Sequence, residues 1–546
     1  MPQHVMLGGE FHSEFFQDME NEMISYWRDR PTMTVAASLI VASVAGMAVA
    51  EGTEDKTIGL LDRQEGCSPG YNLFTPLNSI WTYLIDLDGN LVREWTDTWN
   101  GGNSVYLLDN GDLLRCADNG PQEGSVLAAG GDGGCIHRFN WEGDLEWEYC
   151  LNNPEYRLHH DIQPMPNGNV LAIAWEYKSY EEAVQAGRDP ESMDVSNSLW
   201  PLYIVEVEPT GSEGGNIVWE WRLWDHVIQD QDPSAANFGV ISENPGKVDL
   251  NRYRDEKGDW IHANSIDYNA ELDQILISTP FLSELWVINH GITSEEAAGP
   301  AGDLIYRWGN PQNYGQGTID DQRNFFSHDA RWVDSDLPGA GNITFFNNGQ
   351  GRPEGSFSTI YEFTPDMNMD GTYDLVDGRY GPLEGWELYR ADPAEDFYSS
   401  GLSGVERQPN GNTIFCKGRG GVFYEIDTPE KGEEFGDIIW LYVNPVASTG
   451  PLHQSCPPSG QNSFRYSRYA EDFVGFIGKD LTPMGPLELP ACLGDFDCTG
   501  VVDGADLTLL LGAWGTIDSE YDLTGEGVVD GADLTLLLGF WGICSG

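Results

Sequence analysis

The chain has ten histidines in 546 residues, and four of them head three segments that look alike. These are His159-His160-Asp161 leading to Asn167-Gly168-Asn169, His262-Ala263-Asn264 leading to Asp267, and His328-Asp329-Ala330-Arg331. Each opens a run that turns into a strand-like apolar stretch, such as Val170–Trp175 or Ile275–Ser278. A neutral imidazole can attack an electrophile or take a proton near neutral pH, and several together can divide nucleophile and acid/base roles. Asn264 offers an amide to hold a substrate oxygen, and Arg331 and Arg407 offer cations to hold an anion. Two rival readings stay open. One is a three-histidine zinc site with an open position. The other is structural, with each imidazole merely hydrogen-bonding a strand end.

Imidazoles at equivalent points of successive repeats converge only if the repeats close into a ring. A second recurring element supplies that ring: an apolar strand, a turn with Asp, Gly or Asn, then a strand rich in Trp and Tyr. It runs over Tyr83–Trp95 and Ile136–Tyr149, with looser versions over Ile204–Trp221, Leu285–Trp308, Ile360–Tyr389 and Val422–Tyr442. Between them lie tight turns such as Asn110-Gly111 and Asn410-Gly411, the chemistry of short hairpins. Six units of four strands predict an all-β six-bladed β-propeller over 55–480, its innermost strands lining a channel.

The proline-bearing stretch 481–493 reads as a linker. Beyond it, over 494–546, the chain repeats itself: Asp495–Gly512 returns almost unchanged as Asp522–Gly539. Oxygen-bearing side chains fall at loop positions 1, 3, 5, 9 and 12, with Gly at 6, which is EF-hand-like spacing. They are Asp495, Asp497, Thr499, Asp503 and Asp506 in the first copy, and Asp522, Thr524, Glu526, Asp530 and Asp533 in the second. The apolar run after each loop predicts a helix, so a small α-helical calcium-binding domain is expected. Asp at position 12 is shorter than the usual Glu.

The formal charge of −60 argues against nucleic-acid and anionic-membrane partners, which would repel the chain. Residues 34–50 form an apolar run after Arg28 and Arg30 that ends in Ala48-Val49-Ala50. This reads as a secretory signal within a 1–50 leader, with translation starting at Met23 or Met33, and as no lasting membrane anchor. Secretion to the periplasm, the cell surface or the medium would permit disulfides. The nine cysteines are an odd number, so one stays unpaired or joins another chain.

His159-His160-Asp161 with Pro166–Asn169 resembles the signature of bacterial arylsulfate sulfotransferases. So do Trp260–Asp267 running into Leu272–Ile275, Tyr306–Asn310, His328-Asp329 with Leu337–Asn342, and Gly404–Asn412. The resemblance spans most of residues 70–445. It implies a six-bladed propeller that moves a sulfuryl group from a phenolic sulfate donor to a phenol acceptor, with no cofactor in the chemical step. By the same resemblance His328 is the nucleophile that becomes sulfated, His262 and Asn264 form the His-x-Asn pair, and His160 or His159 is the remaining site histidine. The family's sulfate-binding Arg is replaced here by the Ser278–Phe281 region, which turns attention to Arg331 and Arg407 as substitutes. The alternative is a non-catalytic secreted propeller that binds a ligand or matrix component. The tail resembles a type I dockerin, which implies calcium and a protein partner, with Cys492, Cys498 and Cys544 available to staple it.

Overall fold

The computed structural model describes residues 56–544, apart from 194–197, 254–257, 449, 455, 457–459 and 519. The signal-like run 34–50 and the two candidate start positions lie outside the described residues. Five four-stranded antiparallel sheets and one five-stranded sheet follow one another along the chain as six blades. Counting by innermost strand, these are Ser463–Tyr469 (blade 1), Asn100–Leu107 (blade 2), Tyr156–Pro164 (blade 3), Ser265–Asn269 (blade 4), Ser327–Trp332 (blade 5) and Gly404–Arg407 (blade 6).

The ring closes twice. Ser463–Tyr469 from late in the chain pairs with Tyr71–Pro76 from its start, completing blade 1. Gly59–Arg63 adds a fifth, outermost strand to blade 6 by pairing with Ile438–Val443. Edge strands are thereby covered from both ends of the sequence.

The Trp-rich strands foreseen in the sequence are the outer strands, and their indoles tie neighbouring blades at every junction but that of blades 5 and 6 among the described residues. The indole N–H of Trp95 donates to the Asn140 carbonyl, Trp147 to Gly214, Trp221 to Gly302, Trp308 to Pro382 and Trp440 to Leu87, all at 2.7–3.0 Å. Each ring also fills the space between blades, so one residue supplies apolar burial and a satisfied polar tip. A matching set of links runs along the inner strands. Asp161 accepts from the Ile266 N–H of the following blade, Asp267 from Trp332, and Asp329 from Val405, at 2.8–3.0 Å. The aspartates of the three histidine-led segments are therefore structural clamps.

Three disulfides form: Cys135–Cys150, Cys456–Cys498 and Cys492–Cys544. The first joins directly opposed residues of neighbouring strands in blade 2. The second ties the tail to the propeller, and the third closes the tail on itself. Cys67, Cys116 and Cys416 stay free.

The stretch expected as a linker runs along the propeller: Leu91 and Gly485 pair through N–H and carbonyl, as do Met484 and Leu91, and Leu489 does so with Leu452. The tail holds two helices, Gly504–Gly512 and Gly531–Gly539, N-capped by Asp503 and Asp530. Their facing sides enclose Val502, Leu510, Val529 and Leu537. No helix among the described residues is long and apolar enough to cross a membrane.

Candidate active site: a histidine cluster at the head of the inner strands

Irregular backbone brings the histidines together. In blade 3 the pairing of Tyr156–Pro164 with Val170–Glu176 slips between Ala172 and Ala174, opposite His159–Asp161. In blade 5 the same happens between His328 and Arg331. His160, His262 and Asp329 have φ of 52°, 54° and 52°, a left-handed conformation that costs a non-glycine residue about 1–2 kcal/mol. Such bulges re-aim side chains, and here they turn imidazoles toward one another. The His160 and His262 rings meet edge-to-face at 4.6 Å. The ring of Phe464 lies between His160 and His328, at 6.1 Å and 6.3 Å.

Each imidazole has its own holder. His328 Nδ1 lies 2.8 Å from Asn348 Oδ1. The Asn348 amide nitrogen donates to the carbonyls of Ser399 and Leu402 at 2.9 and 3.1 Å. That orientation leaves Oδ1 as the acceptor, so Nδ1 of His328 carries the proton and Nε2 the lone pair. The Leu402 N–H points at that lone pair from 3.1 Å. His262 Nδ1 contacts Asp259 at 2.5 Å, and the other oxygen of Asp259 accepts from the Trp175 indole. His159 and His160 share one hydrogen bond between their Nδ1 atoms at 2.8 Å. His159 stacks on Trp175 at 4.3 Å and its Nε2 has no partner. It backs His160, and His160 is the member that faces His262. Gly131 makes room for it, since a Cβ there would lie 2.0 Å from His160 Cε1.

Burial keeps His159, His160 and His328 neutral. Desolvation lowers His159 and His328 to about 3. It lowers His160 far below the ordinary range, helped by repulsion from His262 and His159. The other described histidines stand apart, each with its own partner: His137 between Asp97 and Glu148, His226 with Asp303, His290 between Asp273 and Glu206, His453 with the Pro490 carbonyl.

The other expected site residues divide. Asn264 is buried, and its amide donates to the Ser327 carbonyl at 2.9 Å while its Oδ1 has no partner. It fixes the residue before His328. Arg331 and Arg407 are both ion-paired within the propeller. Arg331 pairs with Asp329 at 2.9 Å, and Arg407 pairs with Glu362 and donates to the Pro338 carbonyl. Arg331 lies beyond His328 on the same strand. Sequence reasoning missed Asn348, Asp259 and Gly131, which bear no motif. It also missed Arg465, which binds Asp161 at 2.5 Å and also Asp329. Arg331 and Arg465 hold Asp329 below the usual carboxylate range against the desolvation of its burial.

Aromatic rings wall the cluster. Phe281 stacks flat on His262 at 4.7 Å and lies 5.6 Å from Phe326. Phe326 in turn lies 6.0 Å from His328. Phe281 and Phe326 are part-exposed, so their π-faces border the histidines where solvent can reach them.

In the tail, Asp495, Asp497 and Asp506 bring carboxylate oxygens within 4.8 Å of one another, as do Glu526, Asp530 and Asp533. Asp495 is pushed up by desolvation and by Asp506 and Asp497, and Glu526 mainly by Asp530. Asp503 and Asp522 stay outside these tight groups. Asp522 accepts the Gly525 and Gly527 N–H groups, and Thr524 donates to Asp522 and Asp533. Among the described residues, the imidazoles of the propeller form no comparable ligand group, which disfavours a preformed three-histidine zinc site.

The family model described as Arylsulfotransferase (ASST) matches residues 78–441. Two proteins named arylsulfate sulfotransferase AssT are similar. That of Escherichia coli O6:H1 is 22% identical over 425 residues and that of Lelliottia amnigena 21% over 420. Each match covers 70% of this chain, and the chain spans 64% of the length of each relative. Among solved structures, a Bacteroides caccae protein of unknown function aligns over 72% of this chain and 97% of its own, at 13% identity and a TM-score of 0.37, too distant to inform function. The family match covers all three histidine-led segments, and the chain belongs to the arylsulfotransferase family.

Proposed function

We propose that this protein transfers a sulfuryl group from an aryl sulfate to a phenol through a covalent intermediate on His328. The observation that carries the reading is the state of His328: a neutral ring, its Nδ1 proton fixed by Asn348 and its Nε2 lone pair accepting only the Leu402 N–H. That lone pair, released as the Leu402 N–H turns to a sulfuryl oxygen, would attack sulfur as the sulfur–oxygen bond to the aryl group breaks. The departing phenolate takes a proton from Nε2 of His262, whose Nδ1 is held by Asp259; the carboxylate balances the charge of the doubly protonated ring. In the second half His262 takes the proton of an incoming phenol. The phenol oxygen then attacks sulfur, and the bond to His328 breaks. Phenols, with an ordinary pKa of about 10, make tolerable leaving groups once protonated. His160 and the Leu402 N–H are the donors closest to where sulfuryl oxygens would lie.

Support comes from the family match and from the aromatic walls of Phe281, Phe326 and Phe464. The non-catalytic ligand-binding propeller is the second reading, favoured by Pro280-Phe281 standing in place of the family cation. Incubating the protein with 4-nitrophenyl sulfate and phenol separates the two. Release of 4-nitrophenol that depends on phenol, with ping-pong kinetics, supports transfer; no release with any phenolic sulfate supports ligand binding.

The tail's two carboxylate groups fit a hard cation held by oxygen. Calcium there would be held by Asp495, Asp497 and Asp506, and by Glu526, Asp530 and Asp533, relieving repulsion among them. A dockerin-like tail would also engage a protein partner. Three disulfides favour an oxidising compartment, in keeping with export directed by 34–50.

A further inference from the structure

An aryl sulfate is an anion, and a chain of formal charge −60 repels it. Something near His328 must offset that charge. The place where the family resemblance puts an arginine is here Pro280-Phe281, and Phe281 covers His262. The buried guanidinium groups nearby are already neutralised: Arg331 by Asp329, Arg465 by Asp161 and Asp329, Arg157 by Asp118 and Asp132.

Arg419 differs. It sits on the turn 418–421 between the strands Thr413–Lys417 and Val422–Ile426 of blade 6. That turn packs against the loop that holds His328. A Cβ on Gly418 would lie 2.5 Å from Leu402 Cβ and 2.6 Å from Ser403 N. The N–H groups of Gly418 and Arg419 donate to Ser403 Oγ and Ser399 Oγ at 3.0 and 3.2 Å. From the same loop the Leu402 N–H reaches His328 Nε2 and the Ser399 carbonyl takes the Asn348 amide. Leu402 and Ser403 both have positive φ, 61° and 96°, so the loop's shape is imposed by these contacts.

The Arg419 side chain is exposed. Among the described residues its guanidinium has no carboxylate, carbonyl or aromatic partner. It is nevertheless crowded by protein, since desolvation lowers its pKa with no carboxylate to oppose it. Its charge also acts on His328, disfavouring protonation of that ring. A water-accessible, uncompensated guanidinium on the turn packed against the loop that holds a neutral nucleophile is a station for an anion.

We propose that Arg419 binds the sulfate group of the donor, replacing from blade 6 the cation that Pro280-Phe281 leaves out of blade 4; this rests on the sulfuryl-transfer reading above. Turnover by the wild type tests that reading separately. Arg419 is tested by calorimetric binding in a His328→Ala background, where no transfer can confuse the measurement. The ligands are 4-nitrophenyl sulfate and the uncharged-head analogue 4-nitrophenol, below the latter's ionisation. Adding Arg419→Met should weaken the ester about ten- to a hundredfold and leave the phenol unchanged, with Arg419→Lys between the two. In the otherwise native protein the same change should raise KM for the donor by a similar factor, with a smaller effect on kcat. Unchanged ester affinity would overturn the proposal. So would equal weakening of ester and phenol, or no measurable ester binding before Arg419 is removed.

Discussion

At the residue scale, the reactive state of His328 is set by a neighbour that no motif announces. Asn348 fixes the Nδ1 proton, and its own amide is tied to two carbonyls of the 399–402 loop. Replacing Asn348 by Ala should free the ring to rotate and change tautomer. A kcat lowered about ten- to a hundredfold is expected, with donor affinity nearly intact, measured by steady-state kinetics and by binding. The histidines themselves were legible in the sequence, because residue type and local order mark them. Their partners were not. Asn348 and Asp259 reach the cluster from a neighbouring strand end and a preceding loop, and Gly131 from another blade. Arg331 and Arg407 illustrate the opposite limit. A free cation and a paired one look alike in sequence, and the carboxylates that neutralise them, Asp329 and Glu362, are recognised only in the fold.

At the element scale, the Trp-rich strands and the Asp of each histidine-led segment were visible as repeats, and both turn out to lock one blade to the next. The blade count followed from the hairpin pattern. Disulfide pairing did not, because it depends on which strands and loops adjoin: Cys498, inside the first acidic loop, pairs with Cys456 of the propeller. The tail repeats predict two cation sites at this scale. Titrating the full chain with calcium should give two binding events by calorimetry. Asp506→Ala and Asp533→Ala should each remove one and leave sulfuryl transfer unchanged. A chain that shows no heat of binding, or one unaffected by both changes, would disprove the sites.

At the scale of the whole molecule, the ring closes around buried imidazoles that cannot easily be charged. His159 and His328 have folded pKa values of about 3 against an unfolded value of about 6.5. Between those limits the unfolded chain binds the extra protons. The stability these groups contribute is therefore complete above about pH 6.5 and is lost as pH falls toward 3. Each steepens the dependence by up to about 1.4 kcal/mol per pH unit. Replacing His159 by Gln should flatten the fall in unfolding midpoint between pH 6 and 4 relative to the wild type. An unchanged slope would mean that His159 is already charged in the folded ring.

On the proposed mechanism the same neutrality would let His328 act as a nucleophile from mildly acidic pH upward, and it leads to the most direct measurement. The protein is mixed with 4-nitrophenyl sulfate without any acceptor, quenched at alkaline pH, digested, and its peptides weighed. A sulfuryl adduct on the peptide carrying His328, discharged on adding phenol and missing from His328→Ala, is the predicted result. Turnover of the ester with no adduct there, or undiminished transfer by His328→Ala, would contradict the account.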